Sequence, residues 1–142
     1  MLRQSGGNAH RRGDSRSALA DWTRELEIHE RRGDRAGIGN SLSNLGIVHS
    51  ERGDYAISLD AQERALRILQ ETGNRMGVAA AHVNIGLVHF RLGDYGRALD
   101  VQERALQLNE ELRNDRGIAA ALSGIANSHA YLGDYSVALD FQ

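Results

Sequence analysis

Cysteine and proline are both absent from the 142 residues, and so is lysine: all 17 basic side chains are arginine. Without cysteine there are no disulfides, no thiolate metal sites and no thiol chemistry. Without lysine there is neither a P-loop nor a Schiff base. No run of eighteen apolar residues exists, and residues 1–20 are polar and glycine-rich, with no apolar segment of the kind a secretory signal carries. The cytoplasm is therefore the expected location. A formal net charge of −2 argues against nucleic acid or an anionic membrane as partner. What is present is ordinary for one folded domain, with 41% hydrophobic and 25% charged residues. Arginine in place of lysine, with abundant alanine and glycine, reads as a GC-rich bacterial gene.

The informative feature is repetition. "ERGDYAISLDAQERAL" at 51–66 returns as "RLGDYGRALDVQERAL" at 91–106, and "YLGDYSVALDFQ" at 131–142 begins a third copy. Gly13-Asp14, Gly53-Asp54, Gly93-Asp94 and Gly133-Asp134 stand forty apart; so do "RGDRAG" at 32–37 and "TGNRMG" at 72–77, with "RNDRG" at 113–117 as a looser copy. Each forty-residue unit thus holds two turn signals about twenty residues apart. Between them the apolar residues follow helical spacing. Val83, Leu87 and Phe90 form one stripe, and Ile85, Val88 and Leu92 form another, which predicts a helix packed on two sides. No segment alternates with period two.

A glycine just past a helix end takes the left-handed conformation at no Cβ cost, and the acid or amide after it can cap the next helix. Gly-Asp is then a stop and a start together, and neighbouring helices become antiparallel. This spacing predicts first helices near 35–51, 75–91 and 115–131. Second helices are predicted near 15–31, 55–71 and 95–111, with a half-helix from 135, giving seven or eight in all. Asp60–Arg64 and Asp100–Arg104 sit four apart with the acid first, so "D-x-Q-E-R" reads as a solvated helix face. Helix pairs that cannot bury both stripes alone must stack on one another, which makes an all-α solenoid of about 3.5 repeats.

"NIGLVHFRLGDYGRALDVQERAL" at 84–106 and "NLGIVHSERGDYAISLDAQERAL" at 44–66 resemble the tetratricopeptide repeat. Gly46, Gly86, Ala98, Ala65 and Ala105 stand where helices approach closely, and Ser58 is a substitution at such a point. The forty-residue period resembles the long type of Pins-like polarity adaptors and many bacterial regulators. One domain over 1–142 is expected: a degenerate repeat at 1–32, repeats at 33–72 and 73–112, and a shortened one at 113–142. In the first, Ser15 replaces the tyrosine, "SGGN" weakens the opening helix and Trp22 fills the next. The family's usual proline is missing, and glycine turns take its place. Because the last copy stops at Gln142, the chain is expected to be a piece of a longer protein.

No catalytic constellation stands out. "GIGNSL" at 37–42 lacks the third glycine of a dinucleotide fingerprint, His29-Glu30 lacks the second histidine of a zincin, and no serine sits in a G-x-S-x-G elbow. The chain is expected to be no enzyme and to need no cofactor or metal. His49, His89 and His129 are period-related, but stacked helices ~8–10 Å apart cannot close three imidazoles on one ion. They read as packing residues with one ring nitrogen hydrogen-bonded.

The resemblance implies a binding groove along the first helices. Carried across residue by residue, it comprises Asn40, Ser43, Asn44, Ile47 and Ser50, then Ala80, Val83, Asn84, Leu87, Phe90 and Arg91, then Ser123, Gly124, Asn127, Ala130 and Tyr131. Ser43, Val83 and Ser123 stand where a carboxylate-clamp cation would be, so a free C-terminal carboxylate is not the expected ligand. Asn44 and Asn84 could each pair with the backbone of an extended peptide, or could simply bond a neighbouring helix. The expected function is a protein-interaction scaffold for a peptide or partner protein, within a larger bacterial regulator. The alternative is a structural piece that self-assembles through exposed solenoid ends.

Overall fold

The computed structural model describes residues 8–140, with side chains described for 14–133. Six helices occur among these residues: α1 (Asn8–Arg32), α2 (Arg35–Glu51), α3 (Tyr55–Glu71), α4 (Arg75–Arg91), α5 (Tyr95–Glu111) and α6 (Asp115–Asp140). No strand forms among them. They fall into two compact units, residues 1–72 and 73–142. In the first, α2 packs antiparallel on α3 and also against α1; in the second, α5 packs on both α4 and α6, and α4 also meets α6. The bounds of α2 to α5 are those the glycine spacing predicts. The all-α arrangement of antiparallel helix pairs is present.

The helix junctions share one backbone device. Gly33, Gly53, Gly73 and Gly93 all have positive φ, between 67° and 85°. At three of them the following aspartate N–H reaches back to a carbonyl five residues earlier: Asp34 to His29 at 2.9 Å, Asp54 to His49 at 2.8 Å, Asp94 to His89 at 2.9 Å. This bond and its companion from the glycine N–H satisfy the last carbonyls of the outgoing helix. The side chain then caps the incoming one. Asp34 accepts from Gly37 N at 3.0 Å and Asn74 from Gly77 N at 2.9 Å, with a longer 3.4 Å bond from Arg97 N to Asp94. Asp54 departs from this and makes no side-chain cap; its Oδ2 lies 3.5 Å from both His49 Nδ1 and Arg52 Nε.

At the fifth junction the left-handed residue is Arg113, φ 55°. The same bonds form, Arg113 N to Glu110 O and Asn114 N to Asn109 O. A side chain in this conformation costs about 1–2 kcal/mol that glycine would not.

Two predicted reversals do not occur. Gly13-Asp14 lies inside α1 and Gly133-Asp134 inside α6, so there are six helices among the described residues rather than seven or eight. A reversal is worth its conformational cost only if the two arms bury apolar surface against each other. Nine residues follow Gly133, about half the length of α2 to α5, so a second arm there has little surface to bury. The arm before Gly13 is glycine-rich, and most of "SGGN" lies outside the described residues.

The core is built from the repeated small and aliphatic positions. Leu42, Leu69, Ala65, Ala79, Ala81, Val88, Ala98, Ala105 and Ala121 are at most 2% exposed. Of the two predicted stripes, Ile85 and Val88 are buried, whereas Leu92 is 50% exposed and Val83, Leu87 and Phe90 remain partly open. "D-x-Q-E-R" needs correction. Asp60, Glu63 and Arg64 are exposed as expected, but Gln62 and Gln102 are core residues at 0% and 4% exposure. Their side chains lie against glycines of the facing helix: a Cβ on Gly46 would stand 2.6 Å from Gln62 Nε2, and one on Gly86 2.7 Å from Gln102 Cγ. Gln62 Nε2 donates to Ser43 O at 3.0 Å, and Ser58 Oγ to Gly46 O at 2.6 Å. At the hairpin ends, exposed Arg35–Glu71 and Arg75–Glu111 pairs (2.6 Å for the second) add little.

The histidine column is also uneven. His89 is buried, His49 is half-buried with Nδ1 unbonded, and His129 is exposed, so the three do not share one packing role. His82 replaces the leucine of Leu42 and Leu122. Burial first, and the charge of Arg104 second, hold its pKa below the usual histidine value.

Four expectations follow from these contacts. Arg113→Gly should raise stability by about 1 kcal/mol, read as a higher denaturant midpoint at unchanged slope. Gly46→Ala should cost about 1–3 kcal/mol by overpacking, because the buried Gln62 amide must move. Gly96→Ala, where nothing lies within 4 Å, should be neutral or stabilising by about 0.5 kcal/mol. His82 takes up a proton more readily unfolded than folded, so its contribution holds above its ordinary pKa and is lost as pH falls below about 6.5. Thermal melts of His82→Leu should therefore decline less between about pH 7 and 5 than those of the parent.

Candidate partner-binding face

In the second unit, α4 and α6 lie side by side with α5 behind them. Each is a first helix of its repeat, so the same positions of the forty-residue pattern face the same way. Helical spacing brings Val83, Leu87, Phe90 and Arg91 of α4 toward Ala120, Ala121, Ser123, Gly124 and Asn127 of α6, with Gln102 of α5 behind. Together they line one cavity of about 260 Å³. Seven of these ten residues are among those the sequence named for the groove. The other three were missed. Ala120 is the period-mate of Ala80, a signal that was there to use; Ala121 was not singled out, and Gln102 was read with its charged neighbours as solvated.

Gln102 joins the site to the core. Its amide lies 2.8 Å from Ser128 Oγ. With the amide nitrogen toward α6, it donates to Gly124 O at 3.1 Å and Ala98 O at 3.2 Å as well as to that hydroxyl. A Cβ on Gly124 would stand 2.7 Å from Gln102 Nε2. Gly124 is therefore what lets the amide reach the α6 backbone. A Cβ on Gly117 would likewise strike the Asn109 amide, which is tied to Ala105 O at 2.8 Å and to Asn114 Nδ2 at 3.1 Å. These contacts fix α6 on α5 and so fix one wall of the cavity.

Beside the cavity stands an aromatic cluster. Phe90 meets Tyr131 edge-on at 5.1 Å and 86°, and Tyr95 completes the triangle at 5.4 Å from Phe90 and 5.1 Å from Tyr131. These are favourable separations and, for the edge-on pair, the favourable geometry. Tyr131, predicted for the groove, is 51% exposed and Leu87 42%, so the cluster offers apolar surface to solvent. Arg91 is the sole charged lining residue and pairs with no carboxylate among the described residues. The side chains of Ser123 and Asn127 are exposed and without hydrogen-bond partners there. Asn84 is half-buried on α4, outside the cavity lining, and its amide bonds no described side chain or backbone group.

In the first unit the corresponding face is α2. Asn40 is exposed, while Ser43, Asn44, Ile47 and Ser50 are half-buried. The Ser43 carbonyl already accepts from Gln62. Asn44, like Asn84, has no hydrogen-bond partner among the described residues, so neither asparagine is used to bond a neighbouring helix within its unit. No helix among the described residues is long and apolar enough to cross a membrane.

The family model of the tetratricopeptide repeat matches residues 1–71 and again 77–142, nearly the whole chain and in register with the two units. The chain belongs to the tetratricopeptide repeat family. No curated protein matches it. Tetratricopeptide repeats are non-enzymatic scaffolds that generally mediate protein–protein interaction. In these terms α2, α4 and α6 are the first helices of successive repeats, and α1, α3 and α5 the second helices.

Proposed function

We propose that this tetratricopeptide repeat chain is an interaction module that receives a segment of a partner protein on the first-helix face of its second unit. The observation that carries this reading is the convergence of Val83, Leu87, Phe90, Arg91, Ser123, Gly124 and Asn127 on one cavity. Its 260 Å³ falls just below the ~300–1,000 Å³ of small-molecule sites and suits one or two side chains of a bound chain. Exposed Leu87 and Tyr131 supply apolar contact, and the unbonded Ser123 and Asn127 can take up backbone groups of an extended segment. The forty-residue period supports a place among the long-repeat adaptors, as the regulatory part of a larger cytoplasmic bacterial protein.

A second reading, self-association, is favoured by one contrast: Leu122 is 50% exposed, whereas its period-mate Leu42 is 2% exposed. Apolar surface of this kind promotes association. Sedimentation at rising concentration tests it, since Leu122→Glu should then reduce any dimer.

Peptide capture tests the first reading. Ala120 is exposed and lines the cavity, so Ala120→Leu fills it with little effect on melting temperature. Peptides selected from a displayed random library on the unsubstituted protein should lose most of their binding to Ala120→Leu. Peptides that bind both proteins equally would place the binding surface elsewhere.

A further inference from the structure

We infer that the α4–α6 cavity selects an internal stretch of partner chain in which a bulky apolar side chain and an acidic side chain stand two residues apart. The inference rests on the proposed groove reading and adds the chemistry of its ligand. Three observations combine. First, the cavity walls are mostly apolar: Val83, Leu87, Phe90, Ala120 and Ala121, with the aromatic cluster alongside. An aliphatic or aromatic side chain fills such a space by removing apolar surface from water.

Second, the charge at the rim has one sign. Arg91 has no carboxylate partner among the described residues, and no acid lines the cavity. A guanidinium left free at the edge of an apolar cavity is complementary to a carboxylate, which it can grip with two parallel hydrogen bonds. Arg35 and Arg75, at the hairpin ends, are by contrast already paired with Glu71 and Glu111. Arg91 also has no like-charged neighbour in the lining to build a multi-cation clamp. That favours one side-chain carboxylate within a chain over a free C-terminus.

Third, the spacing follows from geometry. Arg91 stands four residues after Leu87 on α4, so the two are ~6 Å apart along the helix axis at 1.5 Å per residue. Two residues of extended chain cover ~6.6 Å at ~3.3 Å each, and residues two apart point to the same side. A strand-like segment laid along α4 therefore presents an apolar side chain at Leu87 and an acid at Arg91. The residue between them points away and is unrestricted. Either chain direction satisfies the spacing.

The test uses the full 142-residue chain and two displayed random-peptide libraries, one with internal peptides and one with free C-termini. The expected result is enrichment, in the internal library, of Leu, Ile, Phe, Tyr or Trp two residues from Asp or Glu. For an enriched synthetic peptide, Arg91→Glu should weaken binding at least about tenfold, leaving the melting temperature unchanged. The same variant should recover binding to the peptide whose acid is replaced by arginine. Binding should also weaken as salt rises.

The outcomes separate the two layers of the argument. Peptides blocked by Ala120→Leu but showing no acidic preference, or unaffected by Arg91→Glu, would overturn the ligand chemistry and leave the groove standing. Enrichment confined to free C-termini would overturn the internal-segment assignment. Peptides insensitive to Ala120→Leu would remove the groove itself, and this inference with it.

Discussion

A left-handed residue every twenty positions, with an acid or amide directly after it, decides where each helix stops and how the next one starts. At Gly33-Asp34, Gly93-Asp94 and Gly73-Asn74 the glycine turns the chain and the following side chain caps the incoming helix. Seventeen-residue helices are the direct consequence, since three residues of each twenty are spent in the reversal. Antiparallel pairing then places Gly46 opposite Gln62 and Gly86 opposite Gln102, and the absence of a side chain lets the helices close on those glutamines. Without the reversals the core positions would not face one another at all. Arg113 shows that the register is firmly held, because the chain accepts a strained side chain there and still makes both reversal hydrogen bonds.

That constraint also explains which parts of the structure could be read from the sequence. Helices α2 to α5 were legible to the residue because glycine at positive φ is a local, chemically specific signal. The turns at Gly13 and Gly133 carry the same letters, but a Gly-Asp pair only permits a reversal; burial between the two arms makes it favourable. Sequence spelling reports the first and is silent on the second. Gln62 and Gln102 failed to read as core for a related reason. Period and polarity put them with their charged neighbours Glu63 and Glu103, and only the glycines on the facing helix, sixteen residues earlier, marked them as buried. Pairing a polar residue with a glycine at that fixed separation is the signal that would have found them.

The groove residues were legible as a face, though their chemistry needed the three-dimensional arrangement. Helical spacing gave Val83, Leu87 and Phe90 a common side, and the family resemblance added Arg91 and, on α6, Ser123, Gly124 and Asn127. What the spacing could not supply was the aromatic triangle, because Tyr95 comes from the opposite arm of the hairpin and meets Phe90 only after the Gly93 turn. Nor could it show that Arg91 goes without a carboxylate while Arg75, with the same charge, has one.

A comparison of positions forty apart separates what holds the fold from what recognises a partner. Core positions repeat with little change: Leu45, Ile85 and Ile125; Ala65 and Ala105; Gln62 and Gln102. Their contacts are with the next helix, and each helix pair demands the same volume. Several inner-face positions change at every step: Ile47, Leu87, Asn127; Ser50, Phe90, Ala130; Glu51, Arg91, Tyr131. A charge of either sign and an aromatic ring occupy the last of these columns in turn. Packing cannot be what selects such a set, since one backbone frame accommodates all three. The same frame therefore presents a different chemistry at each step, and where Phe90, Tyr131 and Arg91 fall together the face becomes apolar and cationic at once. This local combination, more than the repeat itself, is what can distinguish one partner segment from another.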